Sequence, residues 1–197
     1  SDIWSAGVAC ADCHMPYTRS GSYKISDHNV TSPLKADLRA CSQCHTESAE
    51  WIRKQVYEIQ DRTASLLIRA GYECAAVAKL IETGKSSGLG DAPLVKRSIE
   101  LYRQAFLRVV FIGAENSTGF HNPSETKRVL GDAIMYAGRS EGLLRQALAA
   151  KGIQAPEKVS LNLSTYLNGR DMKKLMFKKD QMVKDPYGLQ GIFSEMP

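Results

Sequence analysis

Four cysteines and two histidines of this chain fall into one repeated pattern, Cys10-Ala11-Asp12-Cys13-His14 and Cys41-Ser42-Gln43-Cys44-His45. C-x-x-C-H is the attachment signature of c-type haem. The two thiols add across the haem vinyl groups as thioethers, so the pair of residues between them sets the span of one porphyrin edge. The histidine that follows lies beneath the iron and supplies an axial nitrogen. Two copies within 197 residues make coincidence a poor explanation. The chain is expected to carry two covalently attached haem c groups.

Other uses of cysteine fit less well. Two C-x-x-C pairs can hold a structural zinc ion. The stretch between Cys13 and Cys41 is longer than zinc-ribbon spacing, and zinc leaves the histidine after each pair unexplained. A redox disulfide needs a C-x-x-C at the head of a helix in a βαβ setting, which is absent here. Cys74, the odd one, falls in an amphipathic helical stretch and reads as a small buried apolar residue.

The chain has four histidines. His14 and His45 are the proximal ligands by motif, which leaves His28 and His121 as candidate distal ligands. His28 sits in Ser26-Asp27-His28-Asn29-Val30, between the motifs. His121 directly precedes a helix start at Asn122, where the positive end of the helix dipole disfavours an added proton and keeps imidazole able to bind metal. Which haem each serves stays open, including one attached to a different segment. Methionine is the rival ligand. Met15 follows His14 too closely to reach the opposite face of the same haem, and Met172, Met176 and Met182 recur at helical spacing, which usually means packing. Bis-histidine ligation closes the iron to substrate, so these haems are expected to carry electrons.

The elements that must position these groups divide near residue 46. Residues 1–45 form a loop-rich haem-binding segment with turn chemistry at Ser20-Gly21-Ser22 and Ser32-Pro33, and too little apolar sequence to fold without its haems. Residues 46–197 read as a long-helix bundle. The first helix is expected from Thr46 to Glu82, with a seam of Ile52, Val56, Ile59, Thr63, Leu66, Ala70, Val77 and Ile81 in steps of four and three. That seam suits either an antiparallel hairpin or contact with a second copy of the chain, and a homodimer through the long helices is one expectation. Glycines in the stretch 83–90 break the helix; Gly84-Lys85-Ser86 lacks the strand and earlier glycine of a phosphate loop. A second helix opens at Asp91 and Pro93, with Leu94, Val95, Ile99, Tyr102, Phe106, Val109 and Val110 as its apolar face. A third opens at Asn122-Pro123-Ser124-Glu125 with a capping box and runs to Gly152. One more helix is expected near 167–183. The fold class is all-α, with no run of alternating strand residues.

The formal charge of +5 invites a polyanion. Two haems would bring propionates worth roughly −4, so the excess base balances the cofactor. The short cluster Lys173, Lys174, Lys178 and Lys179 reads as a solvated helix face, and no nucleic-acid partner is expected. No stretch has the length of a transmembrane helix. Because c-type haem is attached outside the bacterial cytoplasm, the protein is expected to be periplasmic. Its start at Ser1 is then that of a processed product or of a fragment of a longer secreted precursor.

Taken together, these motifs resemble a known family. Gly7-Val8-Ala9-Cys10-Ala11-Asp12-Cys13-His14-Met15-Pro16 is similar to the fourth haem site of pentahaem cytochrome c nitrite reductase. Ser26-Asp27-His28 resembles that family's T/S-D-H distal-ligand segment, and Cys41-Ser42-Gln43-Cys44-His45 its last haem site. The long helices and the Gly119-Phe120-His121-Asn122-Pro123 junction resemble its C-terminal helical half, where its dimer interface lies. The resemblance implies six-electron reduction of nitrite to ammonia, five haems, a redox partner or membrane-associated cytochrome as donor, and the role of haem ligand for His14, His28, His45 and His121. It also implies that the lysine-ligated catalytic haem, the catalytic Arg, Tyr and His, and a calcium site lie upstream of this segment. No residue here maps to the catalytic site. Two rivals remain at this level: a standalone dihaem electron carrier, and another multihaem reductase of nitrogen or sulfur compounds.

Overall fold

Residues 6–161 and Tyr187 are described by the computed structural model; the helix expected near 167–183, its methionines and the lysine cluster lie outside these residues. The first haem motif forms a one-turn helix, α1 (Cys10–His14). Asp12, the second of the two intervening residues, accepts the Ala9 amide at 2.7 Å and so closes the open end of that turn. The second motif is a 3-10 turn over Cys41–Gln43. Between them the chain makes an antiparallel hairpin, β1 (Tyr17–Ser20) and β2 (Tyr23–Ser26), with Ser20 opposite Tyr23.

The hairpin corrects the expectation of a segment without strands. Its turn is Gly21-Ser22, with Gly21 at φ +62°, the glycine-first form whose twist matches paired strands. Most of its side chains are exposed, so no inside–outside alternation marks it in the sequence. Lys24 Nζ lies 4.1 Å over the Tyr17 ring and adds a cross-strand contact. Before residue 46 the buried apolar side chains among the described residues are Pro16, Leu38 and Ala40.

Three long helices follow: α2 (Ala49–Ser86), α3 (Pro93–Gly113) and α4 (Pro123–Ala150). With 38 residues, α2 is about 57 Å long at 1.5 Å per residue. Ser48 caps it through the Trp51 amide. Its seam is largely inside: Ile52, Val56, Thr63, Ala70, Val77 and Ile81 are buried, as is Cys74. Near its end, Cys74, Val77, Leu80 and Ile81 pack with Val95 and Ala105 of α3 and with Ala137, Leu144 and Leu148 of α4. A second cluster joins Ala70, Ile112, Val129, Leu130 and Ala133.

Two details differ from the periodicity argument. Helix α2 runs through Gly84 to Ser86, and that glycine is buried in the helix, with Val95 and Leu144 in ordinary contact range of its Cβ position. The stop comes at Gly88, φ +77°, where the Leu89 amide bonds the Gly84 carbonyl and the Gly88 amide bonds that of Lys85. Helix α3 is also rotated from expectation. Its buried stripe is Val95, Ser98, Leu101, Ala105 and Ile112, while Phe106 and Val110 are about half exposed. Small residues face inward because α3 and α4 approach closely, with Ser98 Oγ and Ser140 Oγ 3.1 Å apart and Ser140 also bonding the Ser98 carbonyl. Large side chains are thereby pushed to the outer face. No described helix is long and apolar enough to cross a membrane.

Candidate haem-binding site

The two motifs lie close together. Burial raises the Cys13 thiol above its ordinary pKa, and negative charge on Cys41, Asp12, Cys10 and Cys44 pushes the same way. The Cys41 thiol is raised by burial as well. None of the four is in a disulfide.

The histidine expected as proximal ligand at the first motif meets a second imidazole from far along the chain. The rings of His14 and His121 stand with centroids 6.0 Å apart and planes at 64°. Two imidazoles bonded to opposite sides of one metal, with metal–nitrogen bonds of about 2 Å, hold their centroids roughly 6 Å apart. Their hydrogen bonds fit the same use. His14 Nδ1 lies 2.8 Å from the Thr31 carbonyl oxygen. A carbonyl can only accept, so Nδ1 carries a hydrogen, and in the neutral ring Nε2 then keeps its lone pair. His121 Nδ1 lies 3.1 Å from Glu115 Oε1, an acceptor that likewise places a hydrogen on Nδ1 and, in the neutral ring, leaves the lone pair on Nε2. These residues fit a haem held from both faces.

The loop that presents His121 joins α3 to α4 and is tightly tied. Glu115 Oε1 accepts the Ser117 amide and Glu115 Oε2 the Gly119 amide, each at 2.8 Å. Ser117 Oγ accepts the His121 amide at 2.9 Å. Burial works against the Glu115 carboxylate, but hydrogen bonds from the Ser117 hydroxyl and the Gly119 and Ser117 amides, with His121 nearby, outweigh it and lower its pKa. Gln60 of α2 donates to the Ser117 carbonyl at 3.1 Å. Gly119 has φ +82° and lies so close to Thr63 that an added Cβ would collide with the Thr63 side chain. Asn122 caps α4 through the Glu125 amide at 3.2 Å. The expected capping box is half formed, because the Glu125 carboxylate turns to Arg128.

His28 and His45 are not paired with a second imidazole among the described residues. His28 follows the hairpin, is exposed, and its Nδ1 lies 2.9 Å from the Ser26 carbonyl, so in the neutral ring the lone pair is on Nε2 here too. Asp27 fixes this turn by accepting the Asn29 amide at 2.9 Å and pairing with Arg39 at 3.0 Å. His45 closes the second motif through its amide to the Cys41 carbonyl, and its Nδ1 is 3.5 Å from Glu47 Oε2. Thr31, Glu115 and Ser117 are supporting residues that the motif argument does not single out. Their roles depend on chain reversals, and Glu-x-Ser-x-Gly before a capped helix carries no signal by itself.

Over residues 2–191 the chain matches the cytochrome c552 family. It is 34% identical over 182 residues to a cytochrome c-552 of Bacteroides fragilis, across 90% of this chain and 37% of that protein. It is 36% identical over 152 residues to the cytochrome c nitrite reductase subunit NrfA of Nitratidesulfovibrio vulgaris, across 73% of this chain and 29% of that subunit. Its fold is similar, with a TM-score of 0.67 and 30% identity, to the catalytic subunit of cytochrome c nitrite reductase from Desulfovibrio desulfuricans, a structure described for its two calcium sites. That likeness covers 87% of this chain and 34% of the other. The chain thus spans about a third of the length of these relatives.

Proposed function

The chain belongs to the cytochrome c552 family, and from that premise we propose that it is the electron-transferring C-terminal part of a periplasmic cytochrome c nitrite reductase, which reduces nitrite to ammonia. The observation that carries this reading is the pairing of His14 with His121 at 6.0 Å, a spacing suited to a six-coordinate iron without a substrate position. Bound haem c supplies one-electron redox chemistry. The residues of this chain tether, orient and enclose it. Cys10, Cys13, His14 and His121 would hold one haem; Cys41, Cys44 and His45 would hold the second. His28 is an outward-facing ligand for a haem attached elsewhere in the whole protein. That remainder would hold the catalytic haem, its acid–base residues and calcium, and a redox partner or membrane-associated cytochrome would supply electrons.

The helices carry the homodimer contact in this reading. Phe106, Leu107, Val110 and Phe111 of α3 are 46%, 62%, 48% and 66% exposed and form one outer apolar strip. A strip of this kind is characteristic of an interaction face.

Two measurements test the assignment. The haem-loaded protein should show low-spin ferric signals for the haem at the first motif in its EPR spectrum. The complete protein should turn nitrite into ammonium with a reduced viologen as donor; absence of ammonium would leave an electron carrier in place of a reductase.

A further inference from the structure

Beyond the assignment of ligands, we infer that Glu115 is a positioning residue that sets the redox potential of the haem at the first motif through His121. The inference rests on the reading of His121 as its distal ligand. The two imidazoles have different supports. Nδ1 of His14 faces a neutral acceptor, the Thr31 carbonyl; Nδ1 of His121 faces the Glu115 carboxylate at 3.1 Å. A carboxylate draws the Nδ1 hydrogen more strongly than a carbonyl does and makes the ring a stronger electron donor through Nε2. A stronger donor favours ferric over ferrous iron and lowers the potential.

The carboxylate is held for this purpose. Glu115 Oε1 takes both the Ser117 amide and His121 Nδ1, while Oε2 takes the Gly119 amide. With two backbone amides already bound, the carboxylate cannot swing away without breaking the loop. Its hydrogen-bond partners here are donors, as suits the acceptor oxygens of a carboxylate. The ring is fixed in turn by the bond of the His121 amide to Ser117 Oγ. The clamp and the ligand therefore form one unit, separate from the residues that tether the porphyrin.

Redox potentiometry and EPR on the haem-loaded protein separate this role from mere loop support. Glu115→Gln keeps the shape and removes the charge. The expected result is an upward shift in the midpoint potential of one haem, with its low-spin signal retained at altered g-values and the other haem unmoved. Ser117→Ala loosens the loop but keeps the carboxylate charge beside the ring, and should shift that potential far less than Glu115→Gln does. Potentials of Glu115→Gln that overlay the parent protein, with the low-spin signal intact, would overturn the inference. Equal shifts in Glu115→Gln and Ser117→Ala would also overturn it, by reducing Glu115 to a loop fastener. The ligand reading is checked apart: if His121→Ala keeps the full low-spin signal, ligation by His121 is wrong and the clamp has nothing to act on.

Discussion

The rings of His14 and His121 stand with centroids 6.0 Å apart and planes at 64°, although more than half of the chain separates them. One is carried by a haem-attachment helix of a single turn and the other by the junction of two long helices. Replacing His121 by Ala should convert one haem from low to high spin and leave the second unaffected. Magnetic circular dichroism or EPR integration reads this as loss of one haem's share of the low-spin signal.

Each attachment motif should act independently of the other in covalent chemistry. Cys10→Ser with Cys13→Ser, and separately Cys41→Ser with Cys44→Ser, should each lower the intact mass by one haem under denaturing conditions. Retention of both haems in either double variant contradicts the attachment assignment.

Gly119→Ala forces a side chain into the left-handed backbone region and against Thr63. Its cost should be about 1–3 kcal/mol. Thr63→Ala should recover part of that loss in the double variant, since it removes the colliding atoms but not the backbone strain. Thr63 Oγ1 is itself buried with no hydrogen-bond partner among the described residues. Thr63→Val alone should therefore raise stability by about 1 kcal/mol, measured by thermal or denaturant unfolding.

Phe106→Glu with Phe111→Glu places charge on the outer strip of α3 without touching the buried stripe. Sedimentation should show a shift from dimer to monomer with the helical circular dichroism unchanged. A variant that sediments as the parent does would remove this strip from the interface.

Burial lifts the Cys74 thiol from 9.0 to about 11, with Glu73 adding to the effect. A thiol held neutral by the fold contributes stability that is complete below pH 9, where the unfolded thiol is protonated too. That contribution is lost as the pH rises from 9 through 11, because the unfolded chain ionises first. Tyr102 and Tyr72 are raised by burial and act in the same direction. The melting temperature should fall across this window, and Cys74→Ala should flatten the fall without abolishing it.

How legible the molecule is in its sequence differs by element. The C-x-x-C-H pairs are local chemistry and need no fold to be recognised. The α2 seam, its burial of Cys74 and the Asn122 cap are local periodicities and short-range hydrogen bonds, and they stand in the structure. The facing of α3 is different. Counting large apolar residues favours Phe106 and Val110, yet close approach to α4 selects Ser98 and Ala105 for the inside. The hairpin hides because nothing large is buried on either of its faces. The meeting of His14 with His121 is hidden for another reason. Proximity between residues this far apart depends on where α2 leads the chain and how α3 returns it, and no spacing rule records that.

The loop carrying His121 belongs to the bundle, whereas His14 belongs to the segment with few buried apolar side chains of its own. An iron gripped by both would therefore be a crosslink that closes a very long chain loop, and its entropic effect on the unfolded state grows only with the logarithm of that length. Cofactor retention and cooperative unfolding then become one event. Damage to the helices far from either haem would be registered as a ligand leaving iron, and a change of colour would report the melting of the bundle.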